Sequence, residues 1–383
     1  MSTNCCPACG SASAHLLDWT FSGLGNSVFN YTADFQACPL CGLVYVRNVT
    51  DTALRRFYVE ECNYFEKPHF DQNSPANQKK YSFYMQFLRG HGVHSGMVAD
   101  VGCGRGGFIN WMAQNGWQPE CCGVDVDARS LPVTATSRAN VSFRDGNCLK
   151  LPFAAGGLEL LTYFHVLEHI RDLHGLLAEA ARVLAEGGHI LIEVPDAENY
   201  ANTPIGSAFW FSIREHINHF TARALAAALA AHRFVVVDIS RQMLETPEFA
   251  YPSLMILAEK STTSASLEVA ANDTVATFAR GSQQALVHQA RQISALAVNQ
   301  KMTIWGCSAE IFSLLPLLDT SRIRICDSSK LKQSTHYKGI PIEDPSAVPV
   351  EGMLVIAPYL HRTAIKRAAQ QLGWPDDAIY PLQ

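Results

Sequence analysis

Val98-Ala99-Asp100-Val101-Gly102-Cys103-Gly104-Arg105-Gly106-Gly107-Phe108 is the stretch around which the chain is organised. A short apolar run from Met97 ends in an acid and then breaks into glycines. Phe108 to Gln114 carries apolar residues, Ile109 and Met112 among them, at helical spacing. The pattern predicts a strand, a tight turn and a helix. Glycines at 102, 104 and 106 permit positive φ and let a ligand approach the backbone without meeting a Cβ. The helix start then offers unpaired N–H groups to a polar ligand.

The same spacing serves NAD-binding turns, so the residues that follow decide the reading. Cys121-Cys122-Gly123-Val124 reads as the next strand and ends at Asp125, 21 positions after Gly104, where an acid can hydrogen-bond both hydroxyls of a ribose. A third strand, Val141 to Asp145, leads to Asn147 and a Leu151-Pro152-Phe153 turn. A fourth, Leu158 to Phe164, leads to His165-Val166-Leu167-Glu168-His169-Ile170. A Rossmann dehydrogenase does not predict these later motifs.

Together D-V-G-C-G-x-G, G-V-D, L-P-F and H-V-L-E-H-I resemble a class I S-adenosylmethionine-dependent methyltransferase, over residues 79 to 260. The resemblance implies S-adenosylmethionine as cofactor, with contacts from Asp100, Gly102, Gly104, Gly106, Asp125, Asn147 and His165. In that family the glycine turn faces the amino-acid part, the acid after the second strand holds the ribose, and a residue just before L-P-F meets the adenine. That last position is more often Asp; the Asn147 amide can still accept from an exocyclic amine. The resemblance also implies a seven-stranded sheet. A helix from Asp172 to Glu186, stopped by Gly187-Gly188, a strand from His189 to Val194, and strands from Phe234 to Ile239 and Ser253 to Glu259 complete it.

Apolar residues make up 48% of the 383 and charged residues 17%, a globular composition too long for one ordinary core. With 30 Lys plus Arg against 35 Asp plus Glu the net charge is −5, and no basic block favours nucleic acid. No segment approaches the ~20 apolar residues that cross a bilayer, and the N-terminus lacks a secretory pattern. The expected setting is the cytosol, with a small-molecule partner and neither nucleic acid nor membrane.

Cys6-Pro7-Ala8-Cys9-Gly10 and Cys38-Pro39-Leu40-Cys41-Gly42 are two copies of C-P-x-C-G. Each puts two thiolates on one tight turn, and four thiolates close a tetrahedron around zinc with no open position. Cys6, Cys9, Cys38 and Cys41 are therefore read as ligands of a structural Zn2+. Phe29 to Tyr31, Phe35 to Ala37 and Val44 to Val46 read as strands of a zinc ribbon. The cysteines beyond the ribbon, at 62, 103, 121, 122, 148, 307 and 326, read as small core residues.

Phe57, Tyr58, Tyr64, Phe65, His69 and Phe70 crowd the next segment, which is either packing between domains or a lid over a substrate. A helix from Gln78 to Leu88 follows it. Beyond the fourth strand, Phe209 to Phe220 brings Glu215 and His216 into a loop ahead of an Ala/Leu helix that Thr221 can cap. A His beside an acid near an electrophile is a candidate base, so His169 and His216 stand out; His219 reads as packing beside Phe220.

From Ser261 the chain turns polar, then helical and rich in Ala and Gln to Val298. A second βα pattern follows: Met302 to Trp305, a Gly306-Cys307-Ser308 turn, a helix from Ala309 to Leu318, a strand from Arg322 to Cys326 ending at Asp327, and Gly352 to Ala357 before a helix from His361 to Leu372. The expected architecture is α/β: a zinc ribbon over 1–53, an aromatic-rich connector or lid over 54–78, a seven-stranded Rossmann-like methyltransferase domain over 79–262, a helical connector over 263–299 and a small Rossmann-like domain over 300–383. That order resembles the sugar C-methyltransferases of deoxysugar biosynthesis. The resemblance implies a nucleotide-linked keto sugar as substrate, His216 with Glu215 as the base that forms an enolate, and His169 and Tyr64 lining the pocket. R-E-H-I-N-H-F-T also occurs in methyltransferases acting on oxygen, so an O-methyltransferase of a glycan or natural product is the alternative.

Overall fold

A computed structural model describes residues 5–62, 73–127, 129, 131, 140–206, 208–245, 249–262, 272–298 and 300–382. Strands β1 (Ala14–Thr20), β2 (Thr32–Ala37) and β3 (Val44–Val46) form an antiparallel sheet in that order. Leu17 and Trp19 turn inward on β1 between exposed neighbours. Phe29 to Tyr31, expected as strand, lies in the turn before β2. There Asn30 accepts from the Gly23 N–H at 2.8 Å through its side chain, a local bond that competes with strand pairing.

The second sheet uses β4 (Val98–Val101), β5 (Cys121–Asp125), β6 (Val141–Asp145), β7 (Leu158–Phe164) and β8 (Leu184–Pro195). The short β9 (Asn218–His219) comes next in the chain, before β10 (Phe234–Glu245) and β11 (Ala250–Lys260). The sheet order is β6-β5-β4-β7-β8-β11-β10, parallel from β6 to β8, with β11 antiparallel to both its neighbours. Both faces are covered, so its central strands read as unbroken apolar runs. Ala99, Val101, Leu161 and Ile192 pack with the helices Leu173–Val183 and Ala222–Ala230. Val98, Leu160 and Leu191 pack with Pro75–Gly90 and Gly107–Gln114. The helix expected to run to Glu186 ends at Val183, because Leu184 pairs with Leu158 and its backbone is already extended.

Strand β9 leaves this sheet. It pairs antiparallel with β3, Val44 opposite His219 and Tyr45 opposite Asn218, so the N-terminal sheet takes its fourth strand from the middle of the chain.

After the helix Thr274–Leu296, β12 (Met302–Trp305), β13 (Ile323–Cys326), β14 (His336–Tyr337), β15 (Ile340–Glu343), β16 (Met353–Ile356) and β17 (Ile379–Pro381) build a third sheet. Its order is β14-β15-β13-β12-β16-β17, parallel except for β14. The helix after β12 stops at Leu314, four residues short of the expectation, and Pro316 sits in the 3-10 turn that follows.

Direct contacts join the units. Trp19 Nε1 donates to Ser313 Oγ at 3.0 Å, and Ser22 Oγ to the Phe312 carbonyl at 2.7 Å. The Arg214 guanidinium lies over both Phe29 and Phe312, 5.1 and 4.9 Å from their centroids, and donates to the Ser22 carbonyl. No helix of the described residues is long and apolar enough to cross a membrane.

Candidate functional site

The carboxyl ends of β4, β5 and β7 open onto a cleft of about 2080 Å³. Asp100, Gly102, Gly104, Asp125, Asn147, His165, His169, Glu215 and His216 all line it. Tyr58 closes it from the connector, and Cys307, Ser308 and Lys332 from the third sheet.

At the glycine turn, Gly104 N–H donates to Asp125 Oδ2 at 2.8 Å and Asp127 N–H to Asp125 Oδ1 at 2.9 Å. The acid at the end of β5 thus holds the turn that ends β4. Asp100 is buried beneath and accepts from Thr162 Oγ1 at 2.7 Å; burial pushes its carboxyl up to about 7. Packing, not ligand approach, explains two of the glycines. A Cβ on Gly102 would stand 2.5 Å from Val166 Cγ2, and one on Gly106 2.1 Å from Phe143 Cε1, at φ of 77° and 72°. Asn147 is exposed, and its side-chain oxygen accepts from the Leu149 N–H at 2.8 Å.

His165 sits at φ 55° just after β7. Its Nδ1 lies 3.0 Å from Glu168 Oε1, and its Nε2 lies 2.8 Å from the Tyr251 hydroxyl, which itself donates to Glu193 Oε1 at 2.7 Å. Ser253 and Tyr84 also donate to Glu193, which is fully buried. Because the tyrosine proton is committed to Glu193, both His165 nitrogens must donate, which makes the ring an imidazolium. Burial opposes that charge, but Glu168 and Glu193 together hold its pKa above the ordinary value.

The 3-10 turn Leu167–His169 and the loop ahead of β9 are pinned together. Ile217 N–H donates to the Glu168 carbonyl at 2.8 Å, and Asn218 Nδ2 donates to the carbonyls of Leu167 and Ile170. His169 Nδ1 donates to the Glu215 main-chain carbonyl at 3.0 Å, which leaves Nε2 as acceptor. The His169 and His216 rings stand 4.8 Å apart. The expected side-chain hydrogen bond from Glu215 to His216 is not formed among the described residues: His216 Nδ1 is buried without a partner, and the imidazole that Glu215 orients is that of His169. Burial first, then the neighbouring imidazoles, hold His216 well below the usual histidine range.

Tyr64 lies outside the described residues. Tyr58, carried on the π-helical turn Phe57–Glu61, packs edge-on against His169 at 6.0 Å. Its hydroxyl is buried without a partner, and burial with the nearby Glu215 and Glu168 keeps it protonated. Glu168, 1% exposed, was also not among the expected site residues, and its Oε2 is likewise unpartnered. A π-turn is the one local feature that could have marked Tyr58. His219 is core, its ring tilted against Phe211 with centroids 4.2 Å apart.

The four ribbon cysteines converge. Cys6 and Cys41 sulfurs are 3.6 Å apart, Cys9 and Cys38 3.5 Å, and all four lie within 4.8 Å of one another. Zn–S bonds of about 2.3 Å in a tetrahedron give edges of about 3.8 Å, so the set could hold one metal ion. Cys5 is exposed and is not part of this cluster. Thr221 Oγ1 donates to the Cys41 carbonyl at 2.6 Å and accepts from the Ala224 N–H, tying this knuckle to the helix after β9.

The third sheet repeats the turn geometry. Cys307 N–H donates to Asp327 Oδ2 at 2.7 Å, the counterpart of Gly104 and Asp125, but Lys332 Nζ occupies the same carboxylate at 3.0 Å. A Cβ on Gly306 would meet Pro358 at 2.4 Å.

The sequence profile of a methyltransferase-domain family matches residues 75–239. An ajmaline N-methyltransferase from Rauvolfia serpentina is 31% identical over 101 residues, 25% of this chain and 34% of that protein. A probable chloroplastic tocopherol O-methyltransferase from Oryza sativa subsp. japonica is 33% identical over 101 residues, 25% of this chain and 28% of that protein. The chain thus spans about a third of these relatives. A geranyl diphosphate C-methyltransferase from Streptomyces coelicolor A3(2) is 21% identical, with a TM-score of 0.38 over 50% of this chain and 85% of that one. That likeness is too slight to bear on chemistry. The profile match covers β4 to β8 and the start of β10, and the β6-β5-β4-β7-β8-β11-β10 sheet runs on from it to Lys260: residues 75–239 carry a class I S-adenosylmethionine-dependent methyltransferase domain.

Proposed function

We propose that the protein is an S-adenosylmethionine-dependent methyltransferase of a small oxygen-bearing molecule, and that its acceptor is a nucleotide-linked keto sugar or related ketone, methylated at carbon through an enolate. The observation that carries this reading is the shared cleft. The glycine turn at Gly102 to Gly104, the imidazoles of His169 and His216, and the turn at Cys307 of the third sheet all open onto it.

The cofactor supplies an electrophilic methyl group. Asp125 and the turn it holds would take the ribose and amino-acid parts, and Asn147 the adenine. The acceptor gives up its proton at the His169–His216 pair, where burial holds His216 below the usual histidine range and the Glu215 carbonyl takes the Nδ1 proton of His169. The Tyr58 O–H, protonated and without a partner, is available to hold the oxyanion that results. We assign Cys6, Cys9, Cys38 and Cys41 to a structural zinc ion, which keeps the sheet that carries β9, and with it the His216 loop, in place. In the third sheet, Lys332 bonds Asp327 and Pro358 crowds Gly306, and both line the cleft, so this unit would serve as a wall that presents an ammonium group to an anionic carrier.

Calorimetric titration of the zinc-loaded protein with S-adenosylhomocysteine, then with nucleotides and nucleotide-sugars, tests the reading. Binding of both supports it. Cofactor binding without nucleotide binding moves the assignment to an O-methyltransferase of an unlinked acceptor, which NMR of a 13C-methylated product separates from C-methylation. Failure to bind the cofactor overturns it.

A further inference from the structure

From the side chains gathered behind Tyr58 we infer a divalent-cation site, formed by Glu168, His169 and His216 at the base of the cleft, that anchors the acceptor through two adjacent oxygens. One ligating atom from each residue falls within 4.8 Å of the others. Donors about 2.1 Å from one ion stand roughly 3.0–3.5 Å apart, so small side-chain rotations close the set.

Two independent observations point to a ligand there. Glu168 is 1% exposed, yet its Oε2 has no hydrogen-bond partner, and neither has the buried His216 Nδ1. A buried carboxylate oxygen left unpaired forfeits its hydration without recompense, a penalty that a bound cation removes. The remaining atoms of two of these residues are already tethered as metal ligands usually are. His169 gives its Nδ1 proton to the Glu215 carbonyl at 3.0 Å, and its Nε2 stands 4.0 Å from Glu168 Oε1, so a rotation of the carboxylate is what brings Oε2 to the ion. Glu168 Oε1 accepts from His165 at 3.0 Å, which leaves Oε2 for the ion.

Two imidazoles and one carboxylate suit Mn2+, Fe2+, Co2+ or Zn2+ and leave coordination positions open. His169 and His216 line the cleft, so those positions face the acceptor. A ketone beside a hydroxyl, or a vicinal diol, would chelate there, and ligation lowers the pKa of the bound hydroxyl. The inference rests on the cleft being the methyl-transfer site; with the ion bound, His169 and His216 act through it, and the proton of the metal-bound hydroxyl leaves to water in place of transfer to the pair.

Mn2+ titration followed by electron paramagnetic resonance tests it, on full-length protein with the cysteine site filled by zinc, since hard Mn2+ competes poorly for thiolates. One Mn2+ per chain is expected. His216→Asn, His169→Asn and Glu168→Gln should each weaken it at least about tenfold while calorimetry shows S-adenosylhomocysteine still binding. No Mn2+ uptake, or uptake undiminished in any of these variants, overturns the site. Mn2+ bound at the cluster by a protein that does not take S-adenosylhomocysteine would uphold the metal site and overturn the methyl-transfer reading instead.

Discussion

His169 Nδ1 donates to the main-chain carbonyl of Glu215 at 3.0 Å, a bond that joins the turn after β7 to the loop ahead of β9 and fixes which nitrogen of His169 faces the cleft. The carboxylate expected to orient a histidine gives way here to the backbone of the same residue. The His216→Asn variant should therefore lose turnover by about 10²-fold or more with S-adenosylhomocysteine affinity unchanged, whereas Glu215→Gln, which keeps the carbonyl, should retain most of it. Methyl transfer from labelled cofactor reads the first effect and calorimetry the second; equal losses in the two variants would return the orienting role to the Glu215 carboxylate.

Gly106 is held by Phe143. A Cβ there would stand 2.1 Å from the ring at a φ of 72°, so Gly106→Ala carries both a clash and left-handed strain. The substitution should cost more than about 2 kcal/mol in urea unfolding. Adding Phe143→Ala to it should recover the clash but leave roughly 1 kcal/mol of backbone strain. Additive losses in the double variant would mean that the ring is not what excludes the Cβ.

Stability should fall with acid above the range where most carboxylates titrate. Burial pushes the His219 imidazole down to about 3 and holds His216 low as well. Between those values and the unfolded value near 6.5, the unfolded chain binds protons that the folded chain refuses, so stability is full above about pH 6.5 and is lost as pH falls. Each such histidine contributes up to about 1.4 kcal/mol per pH unit. His165 and Asp100 have the opposite sign: the raised His165 pKa adds stability that disappears as pH rises through its folded value, and Asp100, pushed up to about 7, gains stability as pH falls from there and offsets one of the two histidines. Urea midpoints from pH 7 to pH 5 should therefore drop, and His219→Phe should shallow the slope. An unchanged slope would place the acid sensitivity elsewhere.

If the four cysteines hold zinc as proposed, its removal should be felt at the loop that carries His216. Val44 of the ribbon sheet pairs with His219, and the Cys41 carbonyl accepts from Thr221. Cys38→Ser, or prolonged chelation, should speed hydrogen exchange at Ile217 to His219 along with the ribbon, and lower stability by several kcal/mol. Rapid exchange confined to the ribbon would separate the two.

The parts legible in the sequence were those written in local pattern. Apolar runs ending in an acid or glycines marked β4, β5 and β7, and Thr221 announced the cap it makes. Two C-P-x-C-G knuckles were legible for the same reason, since each is a self-contained turn. β1 was passed over, because only Leu17 and Trp19 on it are buried.

What the sequence by itself determined is thus the seven-stranded α/β sheet, the glycine turn after β4 with an acid at the end of β5, and the two cysteine knuckles. Tertiary structure decided the rest of the site. It placed Tyr58, one of the aromatic residues expected as packing or a lid, against His169, gave the Glu215 carbonyl rather than its carboxylate the orienting bond, and left Glu168 Oε2 and His216 Nδ1 without partners. The physical reason is that these relationships depend on β9 crossing to the N-terminal sheet. That pairing joins residues far apart in the chain, and no local periodicity encodes it.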